Sequence, residues 1–191
     1  MNIEIEGVIL AGGESKRMGT NKSLIELHNK PLIKHVYDKL IDQVSHVSIN
    51  TNEPIKIFPE NIQFQDRILN NPGPLAGIQA GLFYAKQNWV QFCPNDCPYL
   101  PIDLVEKLNF CIKDKGPTII LPSLFDQLEP VFMLCHRSLL KNLDEFISTG
   151  ERKMELWIKE NNYKAVHFFD PKAFVNINTH SELSKIEKEN K

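Results

Sequence analysis

Residues 8–22 read VILAGGESKRMGTNK, three apolar residues typical of a strand followed by a glycine-rich loop that ends in cations. Gly12 and Gly13 let backbone N–H groups approach an anion that side chains would otherwise block. Arg17 and Lys22 can neutralise phosphate oxygens. The stretch therefore predicts a strand that leads directly into a phosphate-binding loop, and we expect a nucleotide as its ligand.

The spacing of the glycines excludes two common phosphate-binding loops. A P-loop has two glycines five residues apart, followed at once by Lys and Ser or Thr. Here Gly13 and Gly19 are six apart, and Lys22 follows two residues late. A dinucleotide fingerprint has G-x-G-x-x-G, whereas Gly12 and Gly13 are adjacent. The motif that remains, L-A-G-G-x-S-x-R-M-G-x-x-K, resembles the signature loop of nucleotidyltransferases that attach a nucleoside monophosphate to a phosphorylated acceptor.

Length and charge indicate a single domain that acts on small molecules. The chain has 191 residues and a net charge of −2, so it lacks the basic balance of a nucleic-acid-binding or membrane-surface protein. No apolar run has the eighteen or so residues that span a bilayer, and the first residues do not resemble a signal peptide. We expect a cytoplasmic protein. The cysteines lack zinc-ligand spacing and are expected to be reduced and mostly buried: Cys93, Cys97, Cys111 and Cys135.

Apolar patterns alternate between strand-like and helix-like stretches along the whole chain. This alternation predicts an α/β fold with a mostly parallel sheet flanked by helices on both faces. The predicted strands cover residues 8–10, 47–49, 62–64, 89–93, 118–121, 131–135, 165–169 and 174–175. The predicted helices cover residues 31–40, 75–86, 101–112 and 139–147. A capping box of Asp103 and Glu106 is expected at the start of the third helix.

Polar features follow four of the predicted strands at one edge of the sheet. The glycine-rich loop follows the first strand, Asn50 ends the next, and Asp66 follows Phe64. Asp96 follows the strand that ends near Cys93. Because ligands of open parallel sheets bind at the carboxyl ends of the strands, we expect these features to converge.

Two further segments carry candidate ligand-binding chemistry. Asp96 lies between prolines in FCPNDCPYLP, residues 92–101, and a rigidly held carboxylate suits Mg²⁺, which takes its other ligands from water and nucleotide phosphate. On this fragment alone, an Asp that bonds its own backbone in a turn explains the pattern equally well. Residues 71–82, NPGPLAGIQAGL, could receive a base, a ribose or a phosphate, or could simply begin a closely packed helix.

Together the motifs resemble the molybdenum cofactor guanylyltransferases over nearly the whole chain. Besides the opening loop, the resemblance lies in GPLAG at 73–77, NDCP at 95–98, EPVF at 129–132, GERK at 150–153 and FVNINT at 174–179. Asn95 replaces the usual Cys, and His180 replaces the usual Pro. The resemblance implies a Rossmann-like nucleotidyltransferase fold in one domain, residues 1–191, which joins GMP from Mg-GTP to molybdopterin. The nucleotide would bind in residues 1–100 and the acceptor in residues 101–191.

The same resemblance implies roles for individual residues. GTP contacts are expected from Leu10, Ala11, Gly12, Gly13, Lys22, Asn50, Asp66 and Asp96. Catalytic roles are expected for Arg17, Lys22 and Asp96, and Asp96 would also hold Mg²⁺. Asn176 and Asn178 would lie on the acceptor side.

The implied partners are GTP and molybdopterin, with transient contacts to molybdenum-cofactor insertion proteins and molybdoenzyme chaperones, but neither nucleic acid nor membrane. Two alternatives stay open on the sequence. A cytidylyl- or sugar-phosphate nucleotidyltransferase shares the opening loop. A nucleotide-binding regulator without catalysis could also keep that loop, although the presence of Lys22, Asp66 and Asp96 speaks against it.

Overall fold

The structure, a computed structural model, describes residues 4–12, 25–68, 73–113, 116–177 and 182–183. The strands are β1 (Ile5–Leu10), β2 (Glu26–Leu27), β3 (Lys30–Pro31), β4 (Val47–Asn50), β5 (Gln63–Phe64), β6 (Trp89–Pro94), β7 (Ile119–Leu124), β8 (Gln127–Leu128), β9 (Leu134–His136) and β10 (Tyr163–His167). The helices are α1 (Leu32–Ile41), α2 (Pro74–Tyr84), α3 (Leu104–Asn109), α4 (Leu140–Ser148) and α5 (Met154–Lys159).

Eight of these strands form one mixed sheet in the order β10-β7-β9-β6-β1-β4-β5, with β8 paired to β7. The pairs β6–β1, β1–β4, β4–β5 and β7–β10 are parallel. β9 runs antiparallel to both of its neighbours, and β8 is antiparallel to β7. β2 and β3 form a separate antiparallel hairpin. The prediction of an α/β fold with a mostly parallel sheet is confirmed.

Strand β1, in the interior of the sheet, is buried on both faces because helices cover each side of the sheet. On one face Ile9 packs in a cluster with apolar residues of α1 and α3, such as Val36 and Leu104. On the other face Val8 packs in a cluster that includes Ile78 of α2 and Trp157 of α5. Alternate residues of one strand therefore belong to two separate cores, as the pleat of a strand requires.

Several predicted boundaries are wrong for identifiable reasons. The stretch 131–135 is not one strand, because a 3-10 turn, Pro130–Phe132, precedes the short β9. Residues 174–175 form no strand; Phe174 is buried through ring contacts with Phe132 and Phe168 in a turn. Apolar side chains can thus be buried without joining a sheet.

The expected capping box of α3 does not form. Asp103 stands at the N-cap position, but its side chain makes no capping hydrogen bond. Its carboxylate instead forms an ion pair with Lys107, at 2.8 Å, one turn along the helix. The helix is also shorter than the predicted 101–112, because residues 102–103 form a turn before it and residues 110–111 form a turn after it.

The cysteines are as expected, since none forms a disulfide and three of the four are buried: Cys93, Cys97 and Cys135. Within the described ranges, no helix has the length and apolar character needed to cross a membrane.

Close packing of α2 on the sheet depends on Gly81. A Cβ at this position would lie 2.5 Å from Cε1 of Phe92 on β6. We therefore expect Gly81→Ala to destabilise the protein by about 1–3 kcal/mol, despite the higher helix propensity of Ala. Urea unfolding of the single variant and of Gly81→Ala combined with Phe92→Leu measures this. The smaller Leu should restore part of the loss; equal stability of Gly81→Ala and wild type would contradict the packing.

Candidate active site

Four neighbouring strands end side by side at one edge of the sheet. Leu10 at the end of β1 is paired with Asn50 of β4 and with Pro94 of β6, and Asn50 is paired with Phe64 of β5. Adjacent strands lie about 4.8 Å apart. The segments beyond these ends therefore start from neighbouring positions on one edge. They contain the predicted site residues Gly12, Asp66 and Asp96.

Asp66 is the centre of a hydrogen-bond network at this edge. Its Oδ1 accepts from Nδ2 of Asn50 at 2.9 Å, and its Oδ2 accepts from Nδ2 of Asn52 at 2.8 Å. The backbone N–H of Asp66 donates to Oδ1 of Asn52 at 3.1 Å. Nδ2 of Asn52 also donates to the carbonyl of Gly12 at 3.3 Å. The network therefore links the segments after β1, β4 and β5.

Asn52 was missed by the sequence reasoning. It is exposed and lies in a turn, so no apolar periodicity marks it. The signal that could have found it is its position. Asn50 and Phe64 are paired, and Asn52 and Asp66 each lie two residues beyond one of them. Since each oxygen of Asp66 already accepts an amide hydrogen, Asp66 is better suited to fixing the backbone than to binding a metal.

Asn50 is 1% exposed, and its side chain lies close to the backbone of two glycines, Gly12 and Gly77. A Cβ at Gly12 would lie 3.1 Å from Oδ1 of Asn50, and a Cβ at Gly77 would lie 2.5 Å from the same atom. Gly77 belongs to α2, so glycine there allows the helix to pack directly on the amide. The backbone N–H of Ala11 donates to the carbonyl of Asn50 at 2.8 Å. That N–H is therefore occupied within the protein.

Asp96 lies in the turn that follows β6 and is 7% exposed. Its carbonyl accepts from the N–H of Ile177 at 2.9 Å. Sγ of the next residue, Cys97, donates to Oδ1 of Asp96 at 3.6 Å and also contacts Oδ1 of Asn176. The structure thus brings together Asp96 and Asn176, which the sequence assigned to the nucleotide and acceptor sides.

Burial raises the pKa of two groups near Asp96. Burial, and then the nearby Asp96 carboxylate, raise the pKa of the Cys97 thiol far above neutrality, so it stays protonated and can donate. Burial also raises the pKa of Glu129, whose carboxyl interacts electrostatically with Cys97. Sequence reasoning included Glu129 in a family motif but gave it no role.

Four of the predicted site residues lie outside the described residues: Gly13, Arg17, Lys22 and Asn178. The structure places the others at the edge described above. Leu10 and Ala11 continue from β1 into the glycine-rich segment, and Gly12 contacts Asn52 through its carbonyl.

The donor chemistry of this edge suits a magnesium ion that is shared with substrate. Among the residues that the structure describes, no cluster of three or more His, Cys, Asp or Glu side chains could hold a metal on its own. Mg²⁺ does not require such a cage, because it usually binds through one or two carboxylates together with substrate phosphates and water. The carboxylate of Asp96 fits that requirement.

Comparisons with known proteins show the family of the chain. A family model described as the MobA-like NTP transferase domain matches residues 7–166. A molybdenum cofactor guanylyltransferase of Vibrio vulnificus (strain YJ016) is 42% identical over 181 residues, covering 93% of this chain and 92% of the relative.

Two solved structures share the fold at low sequence identity. Molybdopterin-guanine dinucleotide biosynthesis protein A from Archaeoglobus fulgidus has a TM-score of 0.78 and 22% identity, covering 97% of this chain and 98% of that one. CMP:2-keto-3-deoxy-manno-octonic acid synthetase, solved in complex with CTP, has a TM-score of 0.75 and 14% identity, with 98% of each chain covered. At these identities, the likeness shows the fold alone.

The Asp66 network predicts unequal effects of the same substitution at two neighbouring positions. Asn50→Asp places a buried carboxylate against Asp66, and we expect a loss of about 3 kcal/mol at pH 7. Asn52→Asp also places a carboxylate next to Asp66, but at an exposed position, and it should lower the free energy of unfolding by less than about 1 kcal/mol. In the folded Asn50→Asp variant, repulsion favours proton binding more than in the unfolded chain, so its deficit relative to wild type should shrink as pH falls from 7 to 5.

Urea unfolding of the three proteins at both pH values measures these differences. Equal losses at the two positions, or a deficit of Asn50→Asp that does not change with pH, would contradict the buried contact between Asn50 and Asp66.

Proposed function

The chain belongs to the family of MobA-like NTP transferase domains and is a nucleotidyltransferase, and on that premise we propose that it transfers GMP from GTP to the phosphate of molybdopterin. The products would be the guanine dinucleotide cofactor and pyrophosphate, and the reaction would require Mg²⁺. The observation that carries the proposal is the contact between the Asp96 loop and the Asn176 segment at the edge where β1 ends. There the carboxylate of Asp96 and the side chain of Asn176, which we propose to lie on the acceptor side, both contact Cys97.

The proposed GTP site follows the carboxyl ends of β1, β4, β5 and β6. Gly12 and Gly13 would offer backbone N–H groups to phosphate, since the N–H of Ala11 is bonded to Asn50. Asn50 and Asp66 would support this loop as much as contact the nucleotide. The complete proposed set is Leu10, Ala11, Gly12, Gly13, Lys22, Asn50, Asp66 and Asp96.

The proposed chemistry is an in-line substitution at the α-phosphorus of GTP. An oxygen of the molybdopterin phosphate attacks, a new phosphoanhydride bond forms, and the bond to the β-phosphate oxygen breaks as pyrophosphate leaves. A phosphate monoester is already anionic near neutral pH, so no general base is proposed. The main difficulties are repulsion between two polyanions and alignment of the attacking oxygen.

Charge and position would address these two difficulties. Arg17 and Lys22 are proposed to neutralise phosphate oxygens, and Asp96 is proposed to hold Mg²⁺. When bound, Mg²⁺ would neutralise phosphate charge and polarise the reacting phosphoryl group. Fixed alignment of two substrates can contribute up to about 7–11 kcal/mol. Asn176 and Asn178 are proposed to orient the acceptor.

The wider setting belongs to the same proposal. GTP and molybdopterin are the proposed substrates, and the product would pass through transient contacts with molybdenum-cofactor insertion proteins and molybdoenzyme chaperones. We propose that the reaction takes place in the cytoplasm.

Lys22→Ala and Asp96→Ala should reduce pyrophosphate release by about 100-fold or more, because each removes a charge contact that is strongest in the transition state. Asp96→Asn, which keeps the shape of the side chain, should be similarly impaired. A coupled assay with GTP, Mg²⁺ and molybdopterin measures the rates, and circular dichroism checks folding.

Lys141→Ala and Asp42→Asn are matched controls and should behave like wild type. Lys141 is an exposed residue of α4 that pairs with Glu145, and Asp42 lines a cavity with Ile5, at the opposite end of β1 from Gly12. Near-normal turnover of Lys22→Ala or Asp96→Ala would show that the assigned role is wrong.

A cytidylyltransferase is the second candidate, because enzymes of that class share the glycine-rich opening loop of this chain, residues 10–22. Guanine and cytosine present different hydrogen-bonding edges, and a site built for one leaves polar groups unpaired with the other. We expect GTP to support pyrophosphate release, and a tenfold excess of CTP to inhibit it only weakly. Incubation with Mg²⁺, molybdopterin and each nucleoside triphosphate in turn measures this preference.

Faster turnover with CTP would favour the second candidate. Tight GTP binding without pyrophosphate release would favour a regulator that has lost catalysis.

A further inference from the structure

Cys97 makes an unusual set of contacts for a buried cysteine. It is fully buried, yet its Sγ lies 3.6 Å from Oδ1 of Asp96, within hydrogen-bonding distance of Oδ1 of Asn176, and 4.0 Å from the carbonyl of Phe174. Two of these three acceptors belong to side chains that we propose to act on substrates. The third belongs to the segment that carries Asn176.

We infer that Cys97 is a positioning residue, whose thiol holds the carboxylate of Asp96 and the amide of Asn176 in a fixed relative orientation. The inference rests on the proposed function for its catalytic consequence. Cys97 itself touches no substrate in this scheme, because its side chain is enclosed by the protein. It acts through the two residues that it contacts.

The backbone already joins the same two segments, which clarifies what the thiol adds. The N–H of Ile177 donates to the carbonyl of Asp96 at 2.9 Å. This bond fixes the main chains relative to one another, but it leaves side-chain rotation undetermined. Since Cys97 contacts the side-chain oxygens of Asp96 and Asn176, it restricts that rotation.

The chemistry of a thiol suits this role. An S–H group is a weak donor, so it orients a carboxylate without neutralising the charge that a divalent cation requires. One S–H can donate to only one acceptor at a time, so Asp96 and Asn176 share it. A change in the orientation of one side chain therefore alters the hydrogen bond available to the other.

The other buried cysteines serve as a comparison. Cys93 lies within β6 and Cys135 lies within β9, and both pack in the hydrophobic core. Sγ of Cys135 donates to the carbonyl of His136 at 3.8 Å, within its own strand. Cys135→Ala is therefore a matched control. Like Cys97→Ala, it removes a fully buried thiol, but it leaves the Asp96 loop unchanged.

The test compares Cys97→Ala, Cys97→Ser and Cys135→Ala with wild type. The first measurement is the affinity of Mn²⁺ for the protein in the presence of GTP and the absence of molybdopterin. Electron paramagnetic resonance detects the binding. Loss of a residue that orients a metal ligand typically costs about 10- to 100-fold in affinity. We expect a loss in this range for Cys97→Ala, recovery of most of the affinity in Cys97→Ser because the hydroxyl can donate, and wild-type affinity for Cys135→Ala.

The second measurement is steady-state turnover. Cys97→Ala should raise KM for molybdopterin as well as lower kcat, because Asn176 loses its contact too. In a double-mutant cycle, Asn176→Ala should reduce kcat/KM for molybdopterin by a smaller factor in the Cys97→Ala background than in wild type. Urea unfolding should show similar losses of stability for the two cysteine-to-alanine variants.

The inference is overturned if Cys97→Ala and Cys135→Ala do not differ in Mn²⁺ affinity, or if Cys97→Ser restores nothing. Should Cys97→Ala fail to fold, Cys97→Ser is compared with Cys97→Val instead. If donation by residue 97 matters, Cys97→Ser should keep at least about a third of the wild-type Mn²⁺ affinity and Cys97→Val should not. Absence of product with wild type would reject the proposed function instead, while the Mn²⁺ measurement would still decide the role of Cys97.

Discussion

The parallel pairing of β1 with β4 and β6 is the constraint on which the rest of the structure depends. It places Leu10 beside Asn50 and Pro94, so three chain segments leave the sheet from one edge. Parallel strands are joined by long crossover connections, usually helices that cover the faces of the sheet, and α1 and α2 do so here. Burial of β1 on both faces therefore stabilises the fold and also aligns the residues of the candidate site.

Polar groups at this edge are held by the protein before any ligand binds. Asn50 is buried, and a buried amide requires hydrogen-bond partners. Asp66 supplies one, and Asn52 extends the network to Gly12. Glycines at positions 12 and 77 leave room for the Asn50 side chain. Close backbone packing and the hydrogen-bond network together hold the polar side chains of this edge in fixed positions, and fixed positions favour the alignment of reacting groups.

Elements with strong local patterns could be predicted from the sequence. An apolar run before Gly12 predicts β1, and the apolar stripe of residues 32–40 predicts α1. Local patterns failed where apolar residues are buried by other means, as for Phe174, or where a short strand such as β9 comes after a proline-led turn. Asn52 and the thiol contacts of Cys97 depend on segments that meet only in the folded chain. The position of Asn52, two residues beyond Asn50, is a signal that could have found it, whereas no local pattern could reveal the thiol contacts.

The charge of the edge bears on the role proposed for the cations of the loop after β1. The acidic groups described there are Asp66, Asp96 and Glu129, and two phosphorylated substrates would add further negative charge. Arg67 follows Asp66, but its guanidinium is stacked on the ring of Phe83 at 3.4 Å. Joining two polyanions at such an edge is unfavourable unless positive charge is brought to them. In their proposed roles, Arg17, Lys22 and a divalent cation would supply that positive charge.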